Sequence, residues 1–176
     1  MNSFIIISGC SGGGKSTLLS ELQQRGHAVV AEPGRRVLRE EMRDGGQALP
    51  WDDKVGFLHR ILAVALKDHE EATRECHERV FFDRGFIDAA EALEALTGEP
   101  LLSRLSQSHR YHKRVFLAPP WPEIYVQDAE RRHGFDAALR EFERLQRAYP
   151  SLGYEVLLLP KVSVAERADF VLETLR

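Results

Sequence analysis

The sequence predicts an α/β fold in which helices cover both faces of a parallel β-sheet. Short apolar segments rich in branched residues alternate with longer segments whose apolar residues recur every three to four positions. The short segments are continuously apolar, which is typical of strands buried on both faces of a parallel sheet. Ligands of such folds bind at the carboxyl ends of the strands. A length of 176 residues predicts a single domain over residues 1–176.

The first half of the chain contains two predicted strands and three predicted helices. Phe4–Ser8 and Ala28–Ala31 are apolar runs followed by turn-forming residues, and each predicts a strand. A helix is expected to begin near Lys15, directly after a run of glycines. The charged segment 35–43 predicts an amphipathic helix, and residues 52–76 carry an apolar stripe that predicts the longest helix.

The second half continues the same alternation. Three more apolar runs predict strands: Arg79–Asp83, Lys113–Ala118 and Tyr154–Leu159. A helix is predicted from Phe86, after the first of these strands, and another from Val164, after the last of them. Between these, residues 123–148 form a long charged segment interrupted around Gly134, which predicts either one helix or two helices with a loop between them. We interpret it as a lid-like helical segment.

Composition and charge exclude several classes of protein. The longest apolar stretch, Ile61–Leu66, is far shorter than the roughly 20 residues needed to span a bilayer, so no transmembrane segment is predicted. The first residues lack the basic start of a signal peptide, and two cysteines offer no disulfide framework, so we expect a cytoplasmic protein. A net charge of −3 with both signs scattered gives no reason to expect a nucleic-acid-binding surface.

The strongest chemical signal is the segment Gly9–Ser16, which matches the pattern of a phosphate-binding loop, or P-loop. Its glycines allow backbone N–H groups to converge on a phosphate at the start of the following helix. Lys15 is suited to reach the β- and γ-phosphates, and the Ser16 hydroxyl suits a magnesium ion. The predicted nucleotide-binding residues are Gly9, Ser11, Gly12, Gly13, Gly14, Lys15, Ser16 and Thr17. The alternative, a plain glycine turn, is disfavoured because the motif lies between a predicted strand and a predicted helix.

Asp83 is the predicted second magnesium-positioning residue, because it ends an apolar strand predicted to lie beside the P-loop. The alternative is that Asp83 caps the helix that begins near Phe86. Arg84 follows Asp83, so the adjacent glutamate that activates water in many ATP-driven motors is missing. The sequence also lacks the Asn/Thr-Lys-x-Asp element that reads guanine in signalling GTPases. Both features favour phosphoryl transfer to a bound acceptor over hydrolysis.

Three segments in order carry a resemblance to a known family: Glu32–Arg36, Phe81–Gly85, and the stretch from Pro119 to Arg131. Together they resemble the kinase-like P-loop proteins that include the ribosylnicotinamide kinase domain of the bacterial NAD regulator, a group often labelled AAA-type ATPases. The Glu-Pro and Asp-Arg pairs are also similar to those of deoxynucleoside and thymidylate kinases. The resemblance implies a three-layer P-loop NTPase fold with five parallel strands in the order 2-3-1-4-5. It does not supply the phosphoryl acceptor.

Two residues after the second predicted strand are candidates for holding the acceptor. Glu32 is placed to accept a proton from a substrate hydroxyl or to hold that hydroxyl by a hydrogen bond. The alternative is a solvated turn residue. Arg35 is a candidate ligand for an anionic group of the substrate, although a solvated helix face is the default interpretation of the arginines that follow Glu32.

Arg131 and Arg132 lie in the lid-like segment, where closure would bring their guanidinium groups onto the transferred phosphoryl group. Arg84 is given the same charge-stabilising role. The alternative for the lid arginines is an exposed helix with local ion pairs. Two further positions have alternative roles: Cys10 is a reactive thiol or a small loop residue, and Trp51 packs in the core or in a substrate lid.

These observations predict a protein that binds ATP with Mg²⁺ and transfers the γ-phosphoryl group to a nucleoside-like or other hydroxyl-bearing small molecule. GTP is not excluded. The alternative function is a nucleotide-dependent switch or slow NTPase that acts by binding a protein or lipid partner, and a third possibility is nucleotide binding without catalysis. Oligomeric state is left open by the sequence.

Overall fold

A computed structural model of the protein describes residues 3–74, 78–125 and 134–176. Its sheet has five strands: β1 (Phe4–Gly9), β2 (Ala28–Val30), β3 (Val80–Asp83), β4 (Arg114–Ala118) and β5 (Glu155–Leu158). All neighbouring strands are parallel and lie in the order β2-β3-β1-β4-β5. The predicted fold class and strand order are therefore confirmed.

Seven helices are present in the described parts of the chain: α1 (Lys15–Gln24), α2 (Pro33–Asp44), α3 (Lys54–Arg74), α4 (Phe86–Thr97), α5 (Leu101–Ser108), α6 (Phe135–Ser151) and α7 (Val164–Thr174). The α2 helix begins at Pro33, two residues before the predicted start, because proline suits the first helical position. The sequence analysis did not predict α5. None of the described helices combines the length and the apolar character that a membrane crossing requires.

The charged segment predicted over residues 123–148 is not one continuous helix in its described parts. A short 3-10 turn over Pro122–Ile124 follows the Pro-Pro pair, and α6 begins only at Phe135, after Gly134. The predicted interruption at Gly134 coincides with the start of α6. Residues 126–133 lie outside the described residues, so the predicted lid is untested there.

The two faces of the sheet carry separate cores because successive residues of a strand point to opposite sides. Ile6 of β1 and Phe82 of β3 pack toward α3, α4 and α6, whereas Ile5 and Phe81 pack toward α1 and α7. The residues of β1, β3 and, beyond Arg114, β4 are buried, as the continuous apolar runs predicted. The outer strands β2 and β5 are only partly buried. Helices on both faces complete the predicted three layers.

The strand register brings the chemically important ends of the central strands to one edge of the sheet. Ile7 of β1 pairs with Asp83 at the end of β3, and Gly9 pairs with Ala118 at the end of β4. Because the strands are parallel, the loops that follow β1, β3 and β4 leave the sheet side by side. The functional site is therefore expected at this edge.

Candidate active site

A cavity of about 930 Å³ opens at the carboxyl ends of the strands. One side is formed by the P-loop, the loop before α7 and the segment around Trp121. The opposite side is formed by the start of α2, by Trp51 and by the inward faces of α3, α4 and α6. We call these the nucleotide side and the acceptor side, after the ligands that the sequence analysis predicts for the P-loop and for Glu32. A cavity of this volume is large enough to hold a small-molecule ligand with room to spare.

The P-loop backbone is fixed by close contact with β4 and by left-handed glycines. A side chain at Gly9 would collide with the backbone of Ala118, and the Cys10 N–H donates to the Ala118 carbonyl at 2.8 Å. Gly14, with φ of 75°, adopts a conformation that most residues avoid and caps α1. These contacts hold the loop in a tight turn at the helix N-terminus, where phosphates bind.

Lys15 is buried at the base of this loop, with 7% of its surface exposed. Its ammonium group donates a hydrogen bond of 2.8 Å to the Cys10 carbonyl. Burial lowers the pKa of Lys15, and the nearby Arg84 charge lowers it further, while Asp83 and Glu32 raise it. Ser16 and Thr17 are exposed and line the cavity. A ligand in the cavity can therefore reach both residues.

Asp83 ends β3 beside Lys15 and is 6% exposed. Its Oδ1 is buried without a hydrogen-bond partner, and burial together with the Glu32 charge raises the Asp83 pKa to about 6. The residue that caps α4 is Gly85, so the alternative role of Asp83 as that cap is wrong. A buried carboxylate oxygen without a donor suits a cation such as Mg²⁺, and Asp83 and Ser16 are the residues that would hold it.

Arg84 lies at the centre of the charged groups between the two sides of the cavity. With φ of 62°, it is the one non-glycine residue at positive φ among the described residues, which marks a locally strained backbone. Its Nη1 donates to Glu141 Oε1 at 2.9 Å, and its Nη2 donates to the Gly9 carbonyl at 3.1 Å. Glu32 Oε1 lies 3.6 Å from its Nε. These carboxylates raise the pKa of Arg84 well above its ordinary value, although burial alone would lower it.

Glu32 is half-buried at the N-terminal end of α2 and lines the same cavity as Lys15. Arg35, one turn later, pairs with it at 3.2 Å between Nε and Oε2. Trp51 is 41% exposed and also lines the cavity, so it belongs to the ligand pocket and not to the core. The structure thus brings Glu32, Arg35 and Trp51 to the acceptor side, facing the P-loop.

Sequence analysis missed two carboxylates that the fold brings to Arg84. Asp88 is buried on α4 and accepts hydrogen bonds from the Gly85 N–H at 3.1 Å, from the Tyr149 hydroxyl at 2.8 Å and from the Ser8 hydroxyl. An acidic residue in the first turn of a helix is a common local feature, and Asp88 has this place in α4. Glu141 has no such local signal, because it meets Arg84 only when α6 packs beside α4.

The remaining predicted positions are Cys10, on which the structure bears, and the lid arginines, on which it does not. Burial raises the pKa of the Cys10 thiol, which favours the small loop residue over the reactive thiol. Arg131 and Arg132 lie outside the described residues, and their lid role stays a prediction. Within the described ranges no cluster of three or more His, Cys, Asp or Glu side chains could hold a metal ion.

Solved structures with the same fold include several kinases. Deoxyadenosine kinase from M. mycoides with products dCMP and a flexible dCDP bound has a TM-score of 0.70 at 13% identity, covering 98% of each chain. Shikimate kinase from Acinetobacter baumannii in complex with shikimate has a TM-score of 0.62 at 18% identity, covering 99% of this chain and 93% of the other. Thymidylate kinase from Ehrlichia chaffeensis has a TM-score of 0.57 at 20% identity, covering 99% of both chains. At these identities the likeness shows a shared fold.

No curated protein matches the sequence. A family model described as an AAA domain matches residues 4–167, which span nearly all of the chain and all the described residues of the cavity. This match and the kinase structures confirm the resemblance to kinase-like P-loop proteins labelled as AAA-type. The chain belongs to the AAA domain family, within the P-loop NTPases.

Proposed function

We propose that this protein is a small-molecule kinase that transfers the γ-phosphoryl group of ATP to a hydroxyl group of its acceptor. The observation that carries the proposal is that the P-loop and Glu32 line the same cavity. A nucleotide held by the loop would direct its terminal phosphate toward a carboxylate able to take up a proton. The kinase-like fold supports this assignment, although it leaves the acceptor open.

On the nucleotide side, the P-loop N–H groups and Lys15 would hold the triphosphate, since converging donors and a buried cation suit an anion of high charge. Ser16 and Asp83 would hold Mg²⁺, which neutralises charge that builds on the phosphates during transfer. The buried Asp83 oxygen without a donor and the burial of the Lys15 ammonium support this assignment, because both groups would gain from ligands of opposite charge.

On the acceptor side, Glu32 would orient the acceptor hydroxyl and accept its proton as the oxygen attacks the γ-phosphorus. The bond from that phosphorus to the β–γ bridging oxygen breaks, and ADP leaves with the electron pair. Arg84 lies between Glu32 and the P-loop and would stabilise charge on the transferred group, as its contacts with Glu32 and the Gly9 carbonyl allow.

Apolar side chains shape the rest of the acceptor side. Leu38, Phe57, Leu58 and Ile61 line it together with Trp51. Such a wall favours an acceptor with an apolar or aromatic part besides its hydroxyl groups, which agrees with a nucleoside-like compound. The wall also limits water around the proposed site of transfer.

The test is ADP release from Mg·ATP by the purified protein, alone and with a panel of nucleosides, nucleotides, shikimate-like polyols and ribosylnicotinamide. We expect one acceptor class to raise the rate at least tenfold over the rate without acceptor. A slow rate that no acceptor changes would contradict the kinase and favour the nucleotide-dependent switch or NTPase.

A further inference from the structure

Arg167 is a buried cation that the proposed mechanism does not use. It lies on the first turn of α7, on the opposite face of the sheet from Arg84, and only 2% of its surface is exposed. Its guanidinium group lines the nucleotide side of the cavity and lies 5.6 Å from the centre of the Trp121 ring. Removing the charge of an arginine from water costs free energy, so other interactions must offset the burial of Arg167.

The charge of Arg167 is not balanced by any carboxylate in the described parts of the chain. Its partners are backbone carbonyls, and its buried Nε has no hydrogen-bond partner there. Burial lowers the pKa of Arg167, and no neighbouring acid opposes that shift. An uncompensated buried cation with an unused donor beside a P-loop indicates that the balancing anion is a ligand.

The carbonyls that Arg167 binds belong to the P-loop itself. Nη2 donates to the Gly13 carbonyl at 3.0 Å and Nη1 donates to the Gly14 carbonyl at 3.2 Å. The Gly14 carbonyl is also bound by the Leu18 N–H and the Thr17 hydroxyl, so its orientation is fixed without Arg167. The distinctive bond is therefore the one to Gly13, whose carbonyl has no other partner among the described residues.

Fixing the Gly13 carbonyl also fixes the direction of the Gly14 N–H, because the two groups belong to the same planar peptide. No peptide bond in the described chain is cis, and in a trans peptide the next N–H points opposite to the carbonyl. Because Gly13 C=O is turned toward α7, the Gly14 N–H is turned away from it. That N–H has no acceptor among the described residues, so it stays available to a phosphate oxygen.

We propose that Arg167 is a positioning residue for the nucleotide, which aims the Gly13–Gly14 peptide at the phosphates and supplies the positive charge that their binding balances. The inference rests on the proposed function only in requiring that a polyphosphate binds the P-loop. Lysine would keep the charge but would lose the planar fork, in which two separate nitrogen atoms each bind one carbonyl.

The experiment compares Arg167→Met and Arg167→Lys with the wild type by calorimetric titration with Mg·ATP and with tripolyphosphate. Arg79→Met is the matched control, because Arg79 also donates to a backbone carbonyl next to α7, that of Leu175, at the other end of the helix. We expect the Kd for both ligands to rise at least tenfold in Arg167→Met and at least threefold in Arg167→Lys. Arg79→Met should stay within twofold of the wild type.

A rescue measurement separates positioning from a general loss of structure. Arg167→Ala leaves a space beside the Gly13 carbonyl, and millimolar guanidinium is expected to restore at least a third of the lost affinity for tripolyphosphate. If Arg167→Met does not fold, Arg167→Lys and this rescue decide the question. Wild-type affinity in both Arg167→Met and Arg167→Lys would overturn the role of Arg167 and leave the proposed function standing. If the wild type binds neither ligand, the proposed function itself is overturned.

Discussion

The two sides of the cavity are built in different ways. The nucleotide side is largely one continuous segment, Gly9–Thr17, held against β4 and α7. The acceptor side is assembled from α2, α3, α4 and α6, whose contributing residues lie far apart in the chain. Phosphate binding needs only backbone donors and one cation at fixed spacing, so a short motif can encode it. Recognition of a particular acceptor depends on how several helices pack.

The two sides also differ in how their charges are balanced. On the acceptor side each arginine meets a carboxylate: Arg35 pairs with Glu32, Arg144 with Glu91, and Arg84 with Glu141. On the nucleotide side Lys15 and Arg167 bind backbone carbonyls instead. The charge of Arg167, which no carboxylate among the described residues balances, therefore suits the nucleotide side to a highly charged anion. The paired arginines suit the acceptor side to an acceptor of low charge.

The largest expected effect breaks the acceptor side while leaving the nucleotide side intact. Glu32→Gln removes the proposed proton acceptor, so turnover with the identified acceptor should fall about 10²- to 10⁴-fold. The Kd for Mg·ATP should change less than threefold. Steady-state rates and calorimetry measure the two quantities. Glu40→Gln is the control, since Glu40 lies on the same helix and pairs with Arg60 on the surface. Equal loss in both variants would contradict the role of Glu32.

The reverse change breaks the nucleotide side. Lys15→Ala should weaken Mg·ATP binding by about 10- to 150-fold, because one charge-assisted hydrogen bond is worth roughly 1.5–3 kcal/mol. Lys67→Ala, at an exposed Lys67–Glu71 pair, is the control and should bind as the wild type does. Tight ATP binding by Lys15→Ala would refute the assignment of the site.

A pH titration sharpens the contrast at the metal position. The Asp83 pKa is about 6, so its carboxyl group holds a proton below that pH. Since a proton competes with the metal, affinity for Mg²⁺ in the presence of ATP should fall about tenfold per pH unit below pH 6. Asp83→Asn should weaken Mg²⁺ binding at pH 7 and remove this pH dependence. An unchanged magnesium titration in Asp83→Asn would count against the assignment.

The raised pKa of Asp83 also has a consequence for stability. The folded protein binds a proton at Asp83 up to about pH 6, whereas the unfolded chain releases it near pH 4. The contribution of Asp83 to the free energy of unfolding therefore falls as pH rises from about 4 to about 6. Asp83→Asn should raise that free energy at pH 7 by about 1–3 kcal/mol, measured by urea unfolding. If Asp83→Asn is instead less stable than the wild type at pH 7, the claim that the charged Asp83 carboxylate destabilises the fold is wrong.

The smallest expected effect concerns the contact between the two sides. Glu141→Gln weakens one of the carboxylate contacts of Arg84, and because Glu141 is partly exposed we expect turnover to fall only about three- to tenfold. Affinity for ATP should not change. Glu143→Gln, at the exposed position two residues later on α6, is the control. A wild-type rate in Glu141→Gln would show that Arg84 is held by its other partners.

Much of the fold and of the nucleotide side followed from the sequence. The apolar runs predicted all five strands to within two residues at each end, and the family resemblance supplied their order. The motif placed Lys15 and Ser16 at the start of α1 without knowledge of packing. Local signals were sufficient here because strand burial and phosphate binding are both encoded over a few consecutive residues.

The parts that the sequence did not reveal depend on contacts between distant segments. Arg167 is separated from Gly13 by 154 positions, and Glu141 from Arg84 by 57. Neither residue differs in pattern from an ordinary charged helix residue, so periodicity gives no reason to choose it. The sequence also did not reveal the α5 helix, because its eight residues carry only one buried side chain, Leu101.

The most direct test of the central claim follows the γ-phosphoryl group itself. Purified protein is incubated with [γ-³²P]ATP, Mg²⁺ and the acceptor that stimulates ADP release, and the labelled products are separated. If the nucleotide at the P-loop and the acceptor at Glu32 share one cavity, the label should appear on the acceptor in amounts equal to the ADP formed. Glu32→Gln should then slow that transfer by about a hundredfold or more. Label recovered as inorganic phosphate, in equal amounts from wild type and Glu32→Gln, would contradict it.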